Sequence, residues 1–105
     1  MNAVEFLKKL EGAFNPQAAA GTAATFQFNI STPVYASIKD GACSIVEGTV
    51  QNPDVTITMA DDDLVKMLKG ELNGMMAFVT GKLKVDGNIM LAQRMPTMFD
   101  AAKLG

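Results

Sequence analysis

The sequence predicts an α+β fold in which five largely antiparallel strands form one sheet and helices cover one face of it. Between Thr25 and Met59, apolar and polar residues alternate over short runs, which is the period of a half-buried strand. After Asp61 the apolar residues recur every three or four positions, which is the period of an amphipathic helix. Short links between the early strands favour antiparallel pairing.

The chain is expected to begin with a helix over Met1–Phe14. Its apolar residues have helical spacing, at Val4, Leu7, Leu10 and Phe14. Glu11 is the only interruption of this stripe, and Asn15-Pro16 ends the helix. A short second helix over Gln17–Ala20 is a further possibility.

Four strands are expected next, at Thr25–Ile30, at Val34–Lys39, at Ala42–Val46 and around Val55, Ile57 and Met59. In the first of them Phe26 and Phe28 face one side and Gln27 the other, as in a strand with one buried face. Asp40-Gly41 favours a tight hairpin turn between the second and third strands.

The second half of the chain is expected to hold two helices, the fifth strand and a last helix. The first helix opens at Asp61-Asp62-Asp63 and ends at Gly70, and the next is capped by Asn73 and closed by Gly81. The fifth strand covers Lys82–Asp86. The last helix carries one apolar stripe, formed by Leu91, Met95, Met98, Phe99 and Ala102. Pro96 should kink or split this helix, because proline removes a backbone donor and clashes with the preceding turn.

Length and charge narrow the possible functions. The 105 residues fit one domain over 1–105, and the net charge is −2 with no basic stripe, so nucleic-acid binding is not expected. A purely electrostatic membrane anchor is disfavoured for the same reason. The one cysteine, Cys43, cannot form an internal disulfide, which fits a reducing compartment, and Met1–Leu10 does not resemble a secretory leader.

The absence of histidine excludes several kinds of chemistry. A chain with no histidine has no Ser-His-Asp or Cys-His catalytic group and no histidine metal ligand. The aspartates at 61–63 lack the spacing of a calcium loop and are interpreted as the acidic first turn of a helix. Cys43 lies within a strand and is interpreted as a small buried residue, although a nucleophile acting on thioesters is the alternative. Lys82 and Lys84 are interpreted as the solvent face of a strand, or as contacts to an anionic head group. No catalytic residue, metal or cofactor is expected.

Methionine is the most informative residue type. Six of the eight methionines fall between positions 67 and 98. Methionine is unbranched and polarisable, so it suits irregular gaps and adaptable binding surfaces. A sheet covered by methionine-rich helices is therefore a candidate wall of a cavity that changes shape.

Two segments carry a resemblance to a known family. They are residues 52–63, NPDVTITMADDD, and residues 77–88, AFVTGKLKVDGN, which is followed by Leu91-Ala92. Both resemble the sterol carrier protein type-two family, closely over residues 52–92 and only in architecture over residues 1–51. The sequence departs from the family pattern at Met95-Pro96-Thr97. The resemblance implies a five-stranded sheet whose helices enclose an apolar tunnel.

The resemblance also implies a function, which is non-enzymatic binding and transport of fatty acids, fatty acyl-CoA, phospholipids or sterols. Ten residues on the helices are expected to line the site: Leu64, Met67, Leu68, Met75, Phe78, Val79, Leu91, Met95, Met98 and Phe99. The alternative is an accessory or scaffold subunit that uses the apolar groove to hold a partner or to present a lipid intermediate to a biosynthetic enzyme.

The sequence also leads to expectations about binding partners and cellular location. The partner is a small lipid ligand, transient membrane contact is a possibility, and the chain is expected to be a monomer. Some members of the family end in a Lys-Leu peroxisomal signal, but Gly105 follows Leu104 here, so a cytoplasmic location is expected.

Overall fold

The computed structural model describes residues 3–17 and 21–100 and confirms the α+β class. The strands are β1 Ala24–Asn29, β2 Val34–Lys39, β3 Ala42–Glu47, β4 Val55–Thr58 and β5 Lys84–Gly87. The helices are α1 Ala3–Lys8, α2 Leu10–Ala13, α3 Asp61–Leu68, α4 Gly74–Val79 and α5 Ile89–Arg94, and a 3-10 turn, Met95–Met98, follows α5.

The five strands form one sheet in the order β3-β2-β1-β4-β5. Three of its four pairings are antiparallel, and only β1 and β4 run parallel. The predicted hairpin joins β2 to β3, and its residues Asp40 and Gly41 both have positive φ, 53° and 75°. Positive φ at both central positions is what a two-residue hairpin turn requires. The largely antiparallel, five-stranded sheet is therefore confirmed.

One face of this sheet forms the core. The residues that alternate inward are almost fully buried in all three central strands, namely Phe26, Phe28, Val34, Ala36, Ile38, Val55 and Ile57. They form a single cluster with side chains from α1, α2, α3 and the 3-10 turn. The helices thus cover the apolar face of the sheet. The apolar residues alternate with polar ones along the strands because every second side chain faces this core.

Gln27 lies on the opposite face of β1, yet it is only 2% exposed. The loop that connects β3 to β4 crosses this face and covers it. The Gln27 Nε2 group donates to the carbonyl oxygens of Val34 and Gly48, both at 3.2 Å, and its Oε1 accepts from the Val50 N–H at 2.9 Å. All three bonds join the crossing loop or β2 to β1, so the strand is buried on both sides at this residue.

The prediction of one continuous helix over Met1–Phe14 is wrong. A turn at Lys9 separates α1 from α2, and residues 1 and 2 lie outside the described part. At this turn the Lys9 N–H donates to the Phe6 carbonyl oxygen at 3.0 Å, three residues back instead of four. Leu7 and Leu10, on either side of it, are both fully buried. Glu11 follows the turn, and its Oε2 accepts from the Ile45 N–H of the edge strand β3 at 2.8 Å. The residue that interrupts the apolar stripe therefore satisfies a backbone donor at the edge of the sheet.

Other strand boundaries differ from the sequence prediction by one or two residues, and that of β5 has a clear cause. β5 begins at Lys84 rather than at Lys82, because the N–H groups of Lys82 and Leu83 donate to the Ala77 carbonyl oxygen and close the end of α4. The last helix is split at Met95, as the proline predicts: α5 ends at Arg94, and the 3-10 turn has proline in its first turn. Most of the possible helix at Gln17–Ala20, and Ala102 of the last helix, lie outside the described residues.

Candidate functional site

A cavity of about 490 Å³ lies between the β4–β5 end of the sheet and the helices α3, α4 and α5. This volume is within the range of sites that hold small molecules, about 300–1,000 Å³. Its lining residues are Ile57, Met67, Gly74, Met75, Phe78, Leu83, Val85, Ile89, Ala92, Gln93 and Met95. The floor comes from the inward face of the sheet and the walls come from the helices.

Helix α4 forms a sparsely packed wall of the cavity. Its start is fixed by Asn73, whose Oδ1 accepts from the N–H groups of Met75 and Met76 at 2.8 and 3.2 Å. Ala77 is the only buried residue of this helix. Met75 and Phe78 line the cavity although each is about half exposed, so they form its mouth.

Helix α5 forms the opposite wall and has a similar cap. The Asn88 Oδ1 atom accepts from the Leu91 N–H at 3.2 Å, which fixes the first turn. Ala92 faces the cavity with a small side chain and therefore leaves room for a ligand. Met95 follows the helix and is 1% exposed, so it forms the closed end of the cavity.

Among the described residues, the lining has no charged side chain, and Gln93 provides its only polar side chain. Within residues 3–17 and 21–100, no group of three or more histidine, cysteine, aspartate or glutamate side chains could hold a metal ion. An apolar pocket with a few polar groups is suited to the binding of a hydrocarbon.

The family model described as "SCP-2 sterol transfer family" matches residues 4–100. The chain belongs to this family. Membership supports lipid binding and transfer as its class of function, and the cavity has the apolar character that this function needs.

Several curated proteins are similar in sequence. The chain is 36% identical over 102 residues to a peroxisomal multifunctional enzyme A from Dictyostelium discoideum, covering 95% of this chain and 21% of that protein. It is 35% identical over 106 residues to sterol carrier protein 2 from Rattus norvegicus, covering 95% and 18%. The chain thus spans about a fifth of the length of these relatives, and some of them are multifunctional enzymes in which this domain is joined to others.

Solved structures show the same fold. Sterol carrier protein 2 like 2 from Aedes aegypti superposes with a TM-score of 0.73 at 24% identity, covering 92% of this chain and 93% of that one. A solution structure of the palmitated form of that protein has a TM-score of 0.71 at 22% identity, with the same coverage. A ubiquinone synthesis protein, UbiJ-SCP2, has a TM-score of 0.66 at 16% identity, covering 97% and 88%.

The structure brings four of the ten expected site residues together. Met67, Met75, Phe78 and Met95 line the cavity. Four others are buried in the core behind it, namely Leu64, Leu68, Met98 and Phe99. Leu91 is half-buried and packs against the core, and Val79 is exposed on the outer side of α4.

The sequence prediction omitted the strand side of the cavity. Ile57, Leu83 and Val85 line it, and all three were assigned to the inward face of a strand. Sequence order could have placed them in the site, because β4 and β5 directly precede or follow the methionine-rich helices along the chain. Ile89, Gly74, Ala92 and Gln93 complete the omitted set. Gly74, Ala92 and Gln93 are small or polar and carry no such signal, whereas Ile89 is a large apolar residue that the prediction overlooked.

Cys43 is neither in the cavity nor activated. Burial, together with the nearby Glu11 carboxylate, raises the pKa of its thiol from 9.0 to about 12. The thiol is therefore protonated at neutral pH, whereas a nucleophile must be a thiolate. This environment does not support the thioester hypothesis.

The aspartate trio at the start of α3 also has a structural role. The Asp61 carboxylate accepts from the Ser31 N–H at 2.9 Å and from the Ser31 hydroxyl. These hydrogen bonds lower the pKa of Asp61 and tie the β1–β2 loop to the helix. In the described part of the chain, no helix is long and apolar enough to cross a membrane.

Proposed function

We propose that the protein is a non-enzymatic carrier that binds one lipid chain, such as that of a fatty acid or a fatty acyl-CoA, in the cavity. The observation that carries this proposal is the 490 Å³ cavity, which has no charged side chain among the lining residues that the structure describes. Phospholipids and sterols are further candidates that the family suggests.

The volume of the cavity favours a single chain. Liquid water occupies about 30 Å³ per molecule, and a methylene group is of similar size, so 490 Å³ holds on the order of 16 heavy atoms. A second acyl chain or a sterol ring system needs a larger space. Met67, Met75 and Met95 provide some adaptability, because each has an unbranched side chain that can change rotamer.

Burial of the hydrocarbon supplies enough affinity without a specific polar contact. Each buried methylene contributes about 0.8 kcal/mol, so a long chain gains on the order of 10 kcal/mol before the unfavourable entropy of ordering it is subtracted. A carboxylate or phosphate inside the cavity would meet no cation among the lining residues. We therefore place the head group at the mouth, beside Met75, Phe78 and Gln93.

The ten expected residues contribute in different ways under this proposal. Met67, Met75, Phe78 and Met95 contact the ligand directly. Leu91 packs against the core without lining the cavity, Val79 is exposed on the outer side of α4, and the buried residues Leu64, Leu68, Met98 and Phe99 support the wall from behind. Ligand contact by this second group requires the wall to move.

Native mass spectrometry of the purified protein tests the proposal. We expect a mass above that of the denatured chain, with a fatty acid or other single-chain lipid released by solvent extraction, or a shift when palmitic acid is added to the empty protein. The same spectrum reports whether the chain is a monomer, as expected. A bare mass that does not change with added fatty acid or acyl-CoA would contradict the carrier function.

An accessory subunit is the second candidate function. Large apolar side chains are exposed on α4, and UbiJ-SCP2, which shares the fold, is described as a ubiquinone synthesis protein. Under this hypothesis the cavity presents a lipid intermediate to an enzyme, and a partner covers α4. Affinity capture from the source cells, with and without added fatty acid, distinguishes the two functions: a stoichiometric enzyme partner would favour the accessory role, and its absence would favour the carrier.

The cytoplasmic location also stays a prediction, since the relatives include peroxisomal proteins.

A further inference from the structure

The methionines near the cavity differ widely in their exposure to solvent. Met67 and Met95 line the cavity and are 8% and 1% exposed, whereas Met76 and Met90 are 57% and 73% exposed and do not line it. Among the described residues, Met75 is the one methionine that lines the cavity and is also mostly exposed, at 61%. Its thioether side chain therefore belongs to the ligand site and is open to solutes in water.

The backbone at Met75 is held independently of its side chain. The Met75 N–H donates to the Asn73 Oδ1 atom at 2.8 Å, within the cap that begins α4. The side chain is not part of the buried core, to which this helix contributes Ala77 alone. A chemical change at the Met75 sulfur should therefore alter the mouth of the cavity and leave the fold intact. Burial shields the sulfurs of Met67 and Met95 from the same change.

A thioether reacts with hydrogen peroxide to give a sulfoxide. A lone pair of the sulfur attacks one peroxide oxygen, the O–O bond breaks, and a proton moves to the departing oxygen. The sulfur is thereby oxidised, and the peroxide is reduced to water. The product carries a polar S=O group on a side chain that was apolar. At the mouth of the cavity this oxygen must lose water when a hydrocarbon chain enters, which is unfavourable unless a hydrogen-bond donor replaces that water.

We propose that Met75 is a site of reversible oxidation by hydrogen peroxide, and that its sulfoxide weakens the binding of a lipid chain in the cavity. This inference rests on the proposed carrier function. A bound chain covers the cavity side of Met75, so this residue is oxidised more slowly in the loaded carrier than in the empty one. Peroxide thus inactivates the empty carrier and spares the loaded one. Methionine sulfoxide reductases, which draw on thiol reductants, return the sulfoxide to the thioether.

The test compares each protein with itself before and after treatment with excess hydrogen peroxide. The substitution Met75→Leu removes the sulfur from the mouth of the cavity. The matched control combines Met76→Leu with Met90→Leu and removes two sulfurs that are similarly exposed but lie outside the cavity. Displacement of a fluorescent fatty acid measures affinity, mass spectrometry of peptides locates each sulfoxide, and circular dichroism verifies the fold.

We expect peroxide to weaken fatty acid binding about tenfold in the native protein and in the control variant. This factor is near the lower end for burial of an unpartnered polar group, because the mouth of the cavity stays partly hydrated. In Met75→Leu, peroxide should change the affinity by less than about twofold. Treatment with methionine sulfoxide reductase should restore binding by the oxidised native protein. Saturation with palmitic acid should slow oxidation of Met75 and leave that of Met76 and Met90 unchanged.

The substitution Met75→Gln provides a second measurement, because its amide imitates the polarity of the sulfoxide. Without peroxide, this variant should bind fatty acid about tenfold more weakly than Met75→Leu. An equal loss of affinity in peroxide-treated native protein and Met75→Leu would overturn the proposal, as would complete oxidation of Met75 with unchanged affinity. Oxidation of Met76 and Met90 that leaves Met75 intact would also overturn it. A native protein that binds no fatty acid before peroxide is added would instead refute the carrier function itself.

Discussion

A ring placed inside the cavity should shorten the longest lipid chain that the protein accepts. Ala92 is the suitable position, because it lies on α5, is half-buried and lines the cavity with a single methyl group. The substitution Ala92→Phe directs a phenyl ring into open space rather than into packed core. The overpacking penalty of about 1–3 kcal/mol seen in well-filled cores should therefore be largely avoided.

The size of the effect follows from the volume. A phenyl ring adds about six carbon atoms, or roughly 180 Å³ at 30 Å³ each, and leaves space for about 10 of the 16 heavy atoms that the native cavity holds. Each methylene that enters the cavity contributes about 0.8 kcal/mol, which is about a fourfold change in the dissociation constant. Affinity should thus rise about fourfold per carbon and stop rising at a shorter chain in the variant.

The assay is displacement of a fluorescent fatty acid by straight-chain fatty acids of increasing length. For the native protein we expect affinity to rise until about 16 carbons, and for Ala92→Phe until about 10. The control is Ala42→Phe, which adds the same ring at an exposed position of β3 and should behave as the native protein. If folded Ala92→Phe showed the same limiting chain length as the native protein, the ligand would not occupy this cavity.

Three further predictions concern the frame of the site. Replacing buried Gln27 by leucine should lower the free energy of unfolding by about 1–2 kcal/mol, because the part-buried Val50 N–H loses its acceptor, whereas exposed Gln51→Leu should change it little; urea denaturation measures both. Gly87→Ala should destabilise the protein by more than Gly81→Ala, since both glycines have positive φ but only at Gly87 would the added methyl meet the Asp54 carbonyl oxygen; equal losses in thermal unfolding would contradict this. Ser31→Ala should raise the pKa of Asp61 towards its ordinary value of 3.8 and remove about 1 kcal/mol of stability near neutral pH. Because the hydrogen bonds lower the pKa of Asp61 in the folded state, this stabilisation is present above pH 3.8 and is lost as the pH falls through the folded-state pKa. The free energies of unfolding of the native protein and the variant should therefore become equal in acid. If urea titrations gave the same difference at every pH, the assignment would be refuted.

The strands could be predicted from the sequence because their signal is local. Alternation from Phe26 to Ile57 reports which side chains face the core, and Asp40-Gly41 specifies its own turn. The errors occurred where contacts with residues distant in the sequence determine the local structure. The segment that follows the break at Lys9 is bonded through Glu11 to the edge strand β3, and Gln27 is buried under a loop that crosses the sheet. No pattern within either segment contains that information.

The cavity was harder to predict than the fold for a related reason. Helical periodicity marks an apolar face but does not distinguish a packed face from one that borders empty space. Leu64 and Met67 lie on the same helix, yet Leu64 is fully buried in the core and Met67 lines the cavity. The abundance of methionine indicated which helices form the wall, whereas the individual contacts depend on how far α4 and α5 stand from the sheet.

The sparse packing of α4 connects stability with ligand exchange. A helix of six residues is too short to be stable by itself, and this one has Ala77 as its only buried side chain. It is held by the Asn73 cap at one end and by two hydrogen bonds to the Ala77 carbonyl oxygen at the other. Segments with few buried contacts open at the lowest free energy in a native protein. We therefore expect this wall of the cavity to open at a low free energy, and a bound chain would give Met75 and Phe78 apolar contacts in place of solvent.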